Sequence, residues 1–305
     1  MTLEWFAEEV KERVEKQLGA DFHVEMREDV KNNGHKVTGI LVKQKGKSFG
    51  TQVFLNGLFD EYQELPEEEG LNRVVKAVME TQEKGKQETE KLLGWTAKLH
   101  DYEKIKDLIR YKLVNAEKNQ ELLAAVPHIP YLDLAIVFYL EMYEDPHGIA
   151  SLQIEQWLLD SWEISLEELY QKAMENTPKL QPYAFVSVME ELEGVLDLPE
   201  EVNAGLKEEG KALYCLSNRN GINGAGVILY PGVMERCADM LGGDLIVLPS
   251  SIHEMLMICC GEHERFQVLA QMVREINAAA VPPETFLSDH VYRYCRAEKR
   301  MEIAA

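Results

Sequence analysis

The stretch Leu245 to Leu256, LIVLPSSIHEML, gathers two serines, a histidine and a carboxylate between aliphatic runs. Nucleophilic hydrolysis uses these residue types: a serine hydroxyl within about 3 Å of an imidazole, and a third group that fixes the ring's tautomer. Ser250 or Ser251 would be the nucleophile and His253 the base. Glu254, or a distant Asp289 or His290, would complete the set. Two features weigh against it. Neither serine stands in G-x-S-x-G, the strained elbow that exposes a nucleophile. In an extended segment Ser251 and His253 share a face while Glu254 points away. Ser251-x-x-Glu254 is also a capping-box pattern, so the preferred reading is a single helical turn capped by Ser251 between two strands, with His253 satisfying a backbone carbonyl at the core's edge.

Other constellations carry less. His253, Glu254, Cys259, Cys260, Glu262, His263 and Glu264 are zinc-type ligands, but Met257 stands where H-E-x-x-H needs its second histidine. No metal and no cofactor is therefore expected. NRNGINGAG (218–226) is glycine-rich without either phosphate-loop motif, and its Asn-Gly pairs predict a turn or flexible loop. His128 and His147 each stand alone. Trp95, Trp157 and Trp162 fall at helix-like positions and read as core anchors.

The elements that must position these residues follow from periodicity. Leu3, Phe6, Val10, Val14 and Leu18 predict a helix stopped by Gly19. Phe22, Val24 and Met26 predict a strand, Asn33-Gly34 a tight hairpin, and 37–44 and 49–55 two further strands. A long helix follows Pro66, and the polar tract EKGKQETEKLLG (83–94) suggests a boundary. PHIPYLDLAIVFYLEMY (127–143) reads as a buried strand. Ser165 and Glu168 form a capping box for a helix expected to end at Asn176-Thr177-Pro178. A second acidic boundary falls at 197–210. Beyond it come strands at 212–217 and 226–230, a helix between Pro231 and Gly242-Gly243, strand 245–248, a strand over MLMICC, a helix lined by Phe266, Leu269, Met272, Val273 and Ile276, and a closing edge strand over 291–303. No internal repeat is visible.

With 32 basic and 53 acidic residues among 305, the net charge of −21 repels phosphate backbones and disfavours direct nucleic-acid binding. The five cysteines, Cys215, Cys237, Cys259, Cys260 and Cys295, form no C-x-x-C pair, as expected of reduced thiols. The charged amino terminus shows no secretory signal, and no apolar run approaches the about 20 residues of a membrane helix. A cytoplasmic location follows as an expectation.

Five blocks, VFLNGLFDEY (53–62), PYLDLAIVFYLEM (130–142), SLEELYQKAMENT (165–177), DLIVLPSSIHEML (244–256) and LSDHVYRY (287–294), together resemble the uncharacterised bacterial family numbered 5688 among domains of unknown function. The PSSIHE block also resembles its counterpart in a second such family. The resemblance implies a soluble protein of anaerobic Gram-positive bacteria and no activity, so no catalytic residue is carried over. The expected fold is α+β, with mainly antiparallel sheets and flanking helices in two to three modules (1–95, 96–205 and 206–305). The expected function is that of a non-enzymatic binding or accessory protein acting on an unknown protein partner. The alternatives are a hydrolase centred on Ser250, Ser251, His253 and Glu254, and an acidic mimic of nucleic acid.

Overall fold

The computed structural model describes residues 2–47, 50–96, 98–145, 148–188, 212–249, 251–261 and 265–305. The fold is α+β, and every strand pairing among the described residues is antiparallel. The chain forms two compact units, Met1–His100 and Asp101–Ala305. The acidic tract 197–210, His147, Ser250, Glu262, His263 and Glu264 lie outside the described residues.

In the first unit α1 (Leu3–Leu18) begins at Thr2, whose hydroxyl accepts from Trp5 N–H, and ends at Gly19 with φ of 73°. Its apolar face packs on a sheet ordered β1 (Phe22–Val30), β2 (Lys36–Gln44), β3 (Thr51–Phe54). Asn33 and Gly34 both take positive φ, 61° and 69°, at the tight turn between β1 and β2. α2 (Asn56–Gln63) and α3 (Glu67–Thr96) complete the layer. The core joins Phe6, Val10 and Val14 to Val24, Ile40, Leu55, Tyr62, Leu71 and Val78. Arg13 grips Glu68 through two bonds of 3.0 and 3.1 Å, which pins α1 to α3. The tract 83–94 is helical and continues α3, because its Glu, Lys, Gln and Leu residues are good helix formers.

The second unit contains two sheets. In the first, β6 (Leu134–Asp145) pairs with β4 (Ile109–Asn115) on one side and with β5 (His128–Tyr131) and β7 (Gly148–Gln153) on the other. The expected single strand over 127–143 is thus a hairpin, turned at Leu132, φ 54°, and Asp133. Around it lie α4 (Tyr102–Ile105), α5 (Gln120–Ala125), α6 (Gln156–Trp162) and α7 (Leu166–Leu180). The capping box of α7 forms as expected, with Ser165 and Glu168 bonding each other's backbone amides. The helix does not stop at Asn176 but runs through Pro178. Its last turns are held on β4, where Asn176 Nδ2 donates to Lys106 O and Ile109 O and Thr177 Oγ1 accepts from Tyr111 N–H. These side chains also satisfy the open edge of β4.

The other sheet runs in the order β13 (Arg300–Ile303), β12 (Tyr292–Cys295), β10 (Leu245–Leu248), β11 (Met255–Cys259), β9 (Tyr214–Asn218), β8 (Tyr183–Ser187). α8 (Val233–Leu241) and α9 (Phe266–Ala280) belong to this part of the chain. Two expectations change. Residues 226–230 are not a strand: 226–229 belong to a 3-10 turn over Gly224–Leu229 and Tyr230 follows it, since both edges of β9 are already taken by β8 and β11. The closing strand folds back as the β12–β13 hairpin, with Lys299 at φ 51°.

On α9 only part of the expected apolar face is inward. Phe266, Leu269, Ala270 and Val273 pack against Ile246, Ile258 and Val291. Met272 and Ile276 belong instead to an exposed stripe. Trp162 is buried at 6% exposure, whereas Trp157 is 48% exposed and bonds Glu155, so it is not a core anchor. None of the five cysteines is in a disulfide, and burial pushes the Cys237 thiol up to about 11. Among the described residues no helix is long and apolar enough to cross a membrane.

Candidate functional site

The serine–histidine motif follows β10 directly. Ser251 is buried and forms an antiparallel bridge with Phe286. Ile252 N–H donates to Thr285 O at 2.8 Å, and Ser288 N–H to Pro249 O at 3.2 Å. The backbone of 285–288 therefore runs beside Pro249, Ser251 and Ile252 like a short extra strand. Within the motif, Ser251 Oγ donates to Glu254 Oε1 at 2.9 Å and accepts from His253 N–H at 3.1 Å. The expected capping box does not form: Ser251 and Glu254 meet side chain to side chain around a bend, and the amide that reaches Ser251 Oγ is that of His253, because no helical turn brings the Glu254 amide to it.

His253 is half-buried, and its ring is tied to the Asn-Gly loop by a backbone amide, neither to a serine hydroxyl nor to the backbone carbonyl expected of it. Its Nδ1 accepts from Asn223 N–H at 3.2 Å, which places the proton of the neutral ring on Nε2. Its carbonyl accepts from Ser217 Oγ at 2.7 Å, and the Ile252 carbonyl accepts from Ala225 N–H. Asn218 closes the loop from within, donating to Ile222 O and accepting from Ile222 N–H. Gly224 sits in the tightest place: a Cβ there would lie 2.1 Å from Ser217 Oγ and 2.3 Å from the His253 carbonyl. The loop is a clamp on the motif's backbone.

A second cluster assembles around Asp133, a residue periodicity did not single out. Its Oδ2 accepts from Ser288 Oγ at 2.6 Å and lies 3.0 Å from His290 Nδ1, while its Oδ1 accepts from the Tyr292 hydroxyl. The residue types are those of a catalytic triad, but the geometry is different. A triad places serine and carboxylate on opposite imidazole nitrogens. Here Ser288 Oγ (3.3 Å) and Asp133 both face Nδ1 of His290. Ser288 is fully buried, so no substrate reaches it. Burial and the Asp133 carboxylate together push the Tyr292 phenol far above its usual value.

Asparagines wire this cluster inward: Asn115 Nδ2 donates to Leu287 O, and Asn277 Nδ2 donates to Ser288 O and to Asp289 Oδ1. His290 and Asp289, considered as distant completions of the motif, are thus bonded here. The signal in the sequence was a lone carboxylate in an apolar run, PYLDLAIV, and a second Ser/Asp/His group in LSDHVYRY.

A third polar group crosses the middle sheet. Arg110, 4% exposed, donates from Nη1 to the Asp107 and Ile109 carbonyls and lies 3.7 Å from Glu141. Gln181 Nε2 joins Glu141 to the Tyr139 hydroxyl. Burial outweighs Glu141 and lowers the Arg110 guanidinium. Burial also lowers Lys112, two residues along the same strand face. No group of three His, Cys, Asp or Glu side chains among the described residues could hold a metal ion. Cys259 and Cys260 direct their thiols to the carbonyls of Cys260 and Gly261.

Fold and clusters together define an α+β protein of antiparallel sheets whose serine, histidine and carboxylate groups are closed by bonds to one another and to backbone. The family model described as "Family of unknown function (DUF5688)" matches residues 3–296, and the chain belongs to that family. No curated protein and no solved structure matches it.

Proposed function

We propose that this is a cytoplasmic, non-enzymatic binding or accessory protein that acts through protein contacts. The observation that carries this reading is the outer face of α9. Val268, Met272 and Ile276 recur every four residues and are 52%, 50% and 56% exposed, while Ala270, Val273 and Asn277 of the same helix are buried. Isolated exposed apolar residues are ordinary, but a helical stripe of three has the anchor spacing used in helix recognition. The charge of −21 favours a basic partner, through faster encounter and rejection of acidic competitors. The clusters at Ser251 and Ser288 support the same reading, because their hydroxyls are already engaged.

The test is a pull-down from native lysate with the wild-type chain and with Met272→Glu, whose fold should be intact because the side chain is exposed. A partner retained by the wild type and lost by the variant is expected. Identical recovery by both, or hydrolase activity that disappears in His253→Ala, would refute the reading.

A further inference from the structure

A cavity of about 170 Å³ lies between the end of β5, the turn before α8, the first turn of α8 and the β12–β13 hairpin. It is separate from the clusters around Ser251 and Asp133 and from the α9 stripe. An apolar cavity of about 150 Å³ holds a benzene molecule, so this one suits roughly six to ten non-hydrogen atoms. Its lining is mostly polar. Tyr294 is 5% exposed, yet among the described residues nothing hydrogen-bonds its hydroxyl, and the oxygen is not sealed in the interior. It therefore opens into the cavity that the residue lines. The hydroxyl of Tyr131, another lining residue, also has no partner among the described residues. A phenol oxygen that faces a cavity with no protein partner is open to a bound polar group.

The charged groups narrow the ligand. Lys299 Nζ stands 3.1 Å from Glu235 Oε1, and both residues line the cavity. Glu235 belongs to the first turn of α8, which starts at Gly232 without a side-chain cap. A free anion would meet the Glu235 carboxylate and a strongly acidic protein. A simple amine would compete with Lys299 for the Glu235 carboxylate and would bring no acceptor for either hydroxyl. A molecule carrying both charges satisfies every group. Met234 and Met301 supply adaptable apolar wall for its remainder.

We propose that this cavity binds a small zwitterion of amino-acid size. Its carboxylate is held by Lys299 and the Tyr294 and Tyr131 hydroxyls, its ammonium by Glu235, and its apolar part by Met234 and Met301. The inference is independent of the α9 contact surface.

Calorimetric titration of the full chain tests it, with L-alanine, L-valine, L-leucine and L-methionine, and with the decarboxylated amine and deaminated acid of each. At least one amino acid should bind, with its amine and acid counterparts about tenfold weaker or silent, the effect of losing one charged contact. Tyr294→Phe should weaken binding about tenfold with an unchanged melting temperature, because the hydroxyl bonds nothing in the protein. Lys299→Met, at an exposed position, should weaken it at least as much. Silence from all four amino acids, equal binding of an amine or acid alone, or full binding by Tyr294→Phe and Lys299→Met would overturn the proposal.

Discussion

The hydroxyl of Tyr292 donates to the carboxylate of Asp133, 159 residues earlier in the chain. This bond, with those from Ser288 and His290, fastens the β5–β6 turn to the start of β12 and so joins the two sheets of the second unit. Three of the sequence blocks that mark the family meet along this seam: PYLD supplies Asp133, LSDHVYRY supplies Ser288, His290 and Tyr292, and PSSIHE supplies the backbone that 285–288 runs beside.

Asp133→Ala should therefore be among the most damaging single substitutions. It leaves the buried hydroxyls of Ser288 and Tyr292 without their acceptor, at a cost of about 3 kcal/mol. Urea unfolding should show the loss, and Tyr292→Phe should cost about 1–2 kcal/mol by the same measure. In the double variant the two losses should not add, since both remove one bond. Full additivity would show that the bond itself contributes nothing.

Gly224→Ala should destabilise by about 2 kcal/mol or more, because the new methyl would collide with the Ser217 hydroxyl and the His253 carbonyl. Gly57, within α2, has nothing within 4 Å of its added Cβ. Gly57→Ala should instead be neutral or stabilise by about 0.5–1 kcal/mol, as helix propensity dictates. Thermal melts of the two variants side by side check the contrast.

Ser251→Ala should lower stability by about 1–2 kcal/mol, since Glu254 loses a donor and the His253 amide loses its acceptor. If the hydroxyl has this role alone, the variant and the wild type should be equally inert toward a panel of nitrophenyl esters. Serine-dependent turnover of any of them would restore the hydrolase alternative.

The tyrosines give a pH dependence with a definite sign. Burial raises Tyr111, Tyr139, Tyr230 and Tyr292, and raises Tyr131 to about 12. A phenol raised in the folded state stays protonated after its unfolded counterpart begins to ionise near pH 10. Its stabilisation is therefore complete below about pH 10 and is lost as pH rises above that value. Tyrosinate absorbance should appear in two phases, exposed phenols first and the buried set only with unfolding. A single phase near pH 10 would contradict the burial.

Local features were legible in the residues because they depend on neighbours a few positions apart. The α1 periodicity, the Asn33-Gly34 turn, the Ser165–Glu168 capping box and β10 over Leu245–Leu248 all formed as read. Ser251 and Glu254 do meet, three residues apart, but side chain to side chain around a bend and not as the capping box their spacing suggests. Periodicity could not decide which of two apolar stripes on α9 turns inward, because Val273 and Met272 are equally hydrophobic and only the sheet beneath selects. Nor could it place a 3-10 turn over Gly224–Leu229, which follows from both edges of β9 being occupied. The sequence by itself determined an acidic α+β chain and the local chemistry of PSSIHE. Only the tertiary structure decided that His253 answers to Asn223, and that Asp133, Ser288 and Tyr292 form one cluster. Hydrogen bonds spanning 155 and 159 residues arise from sheet order and register, which no short stretch of sequence encodes.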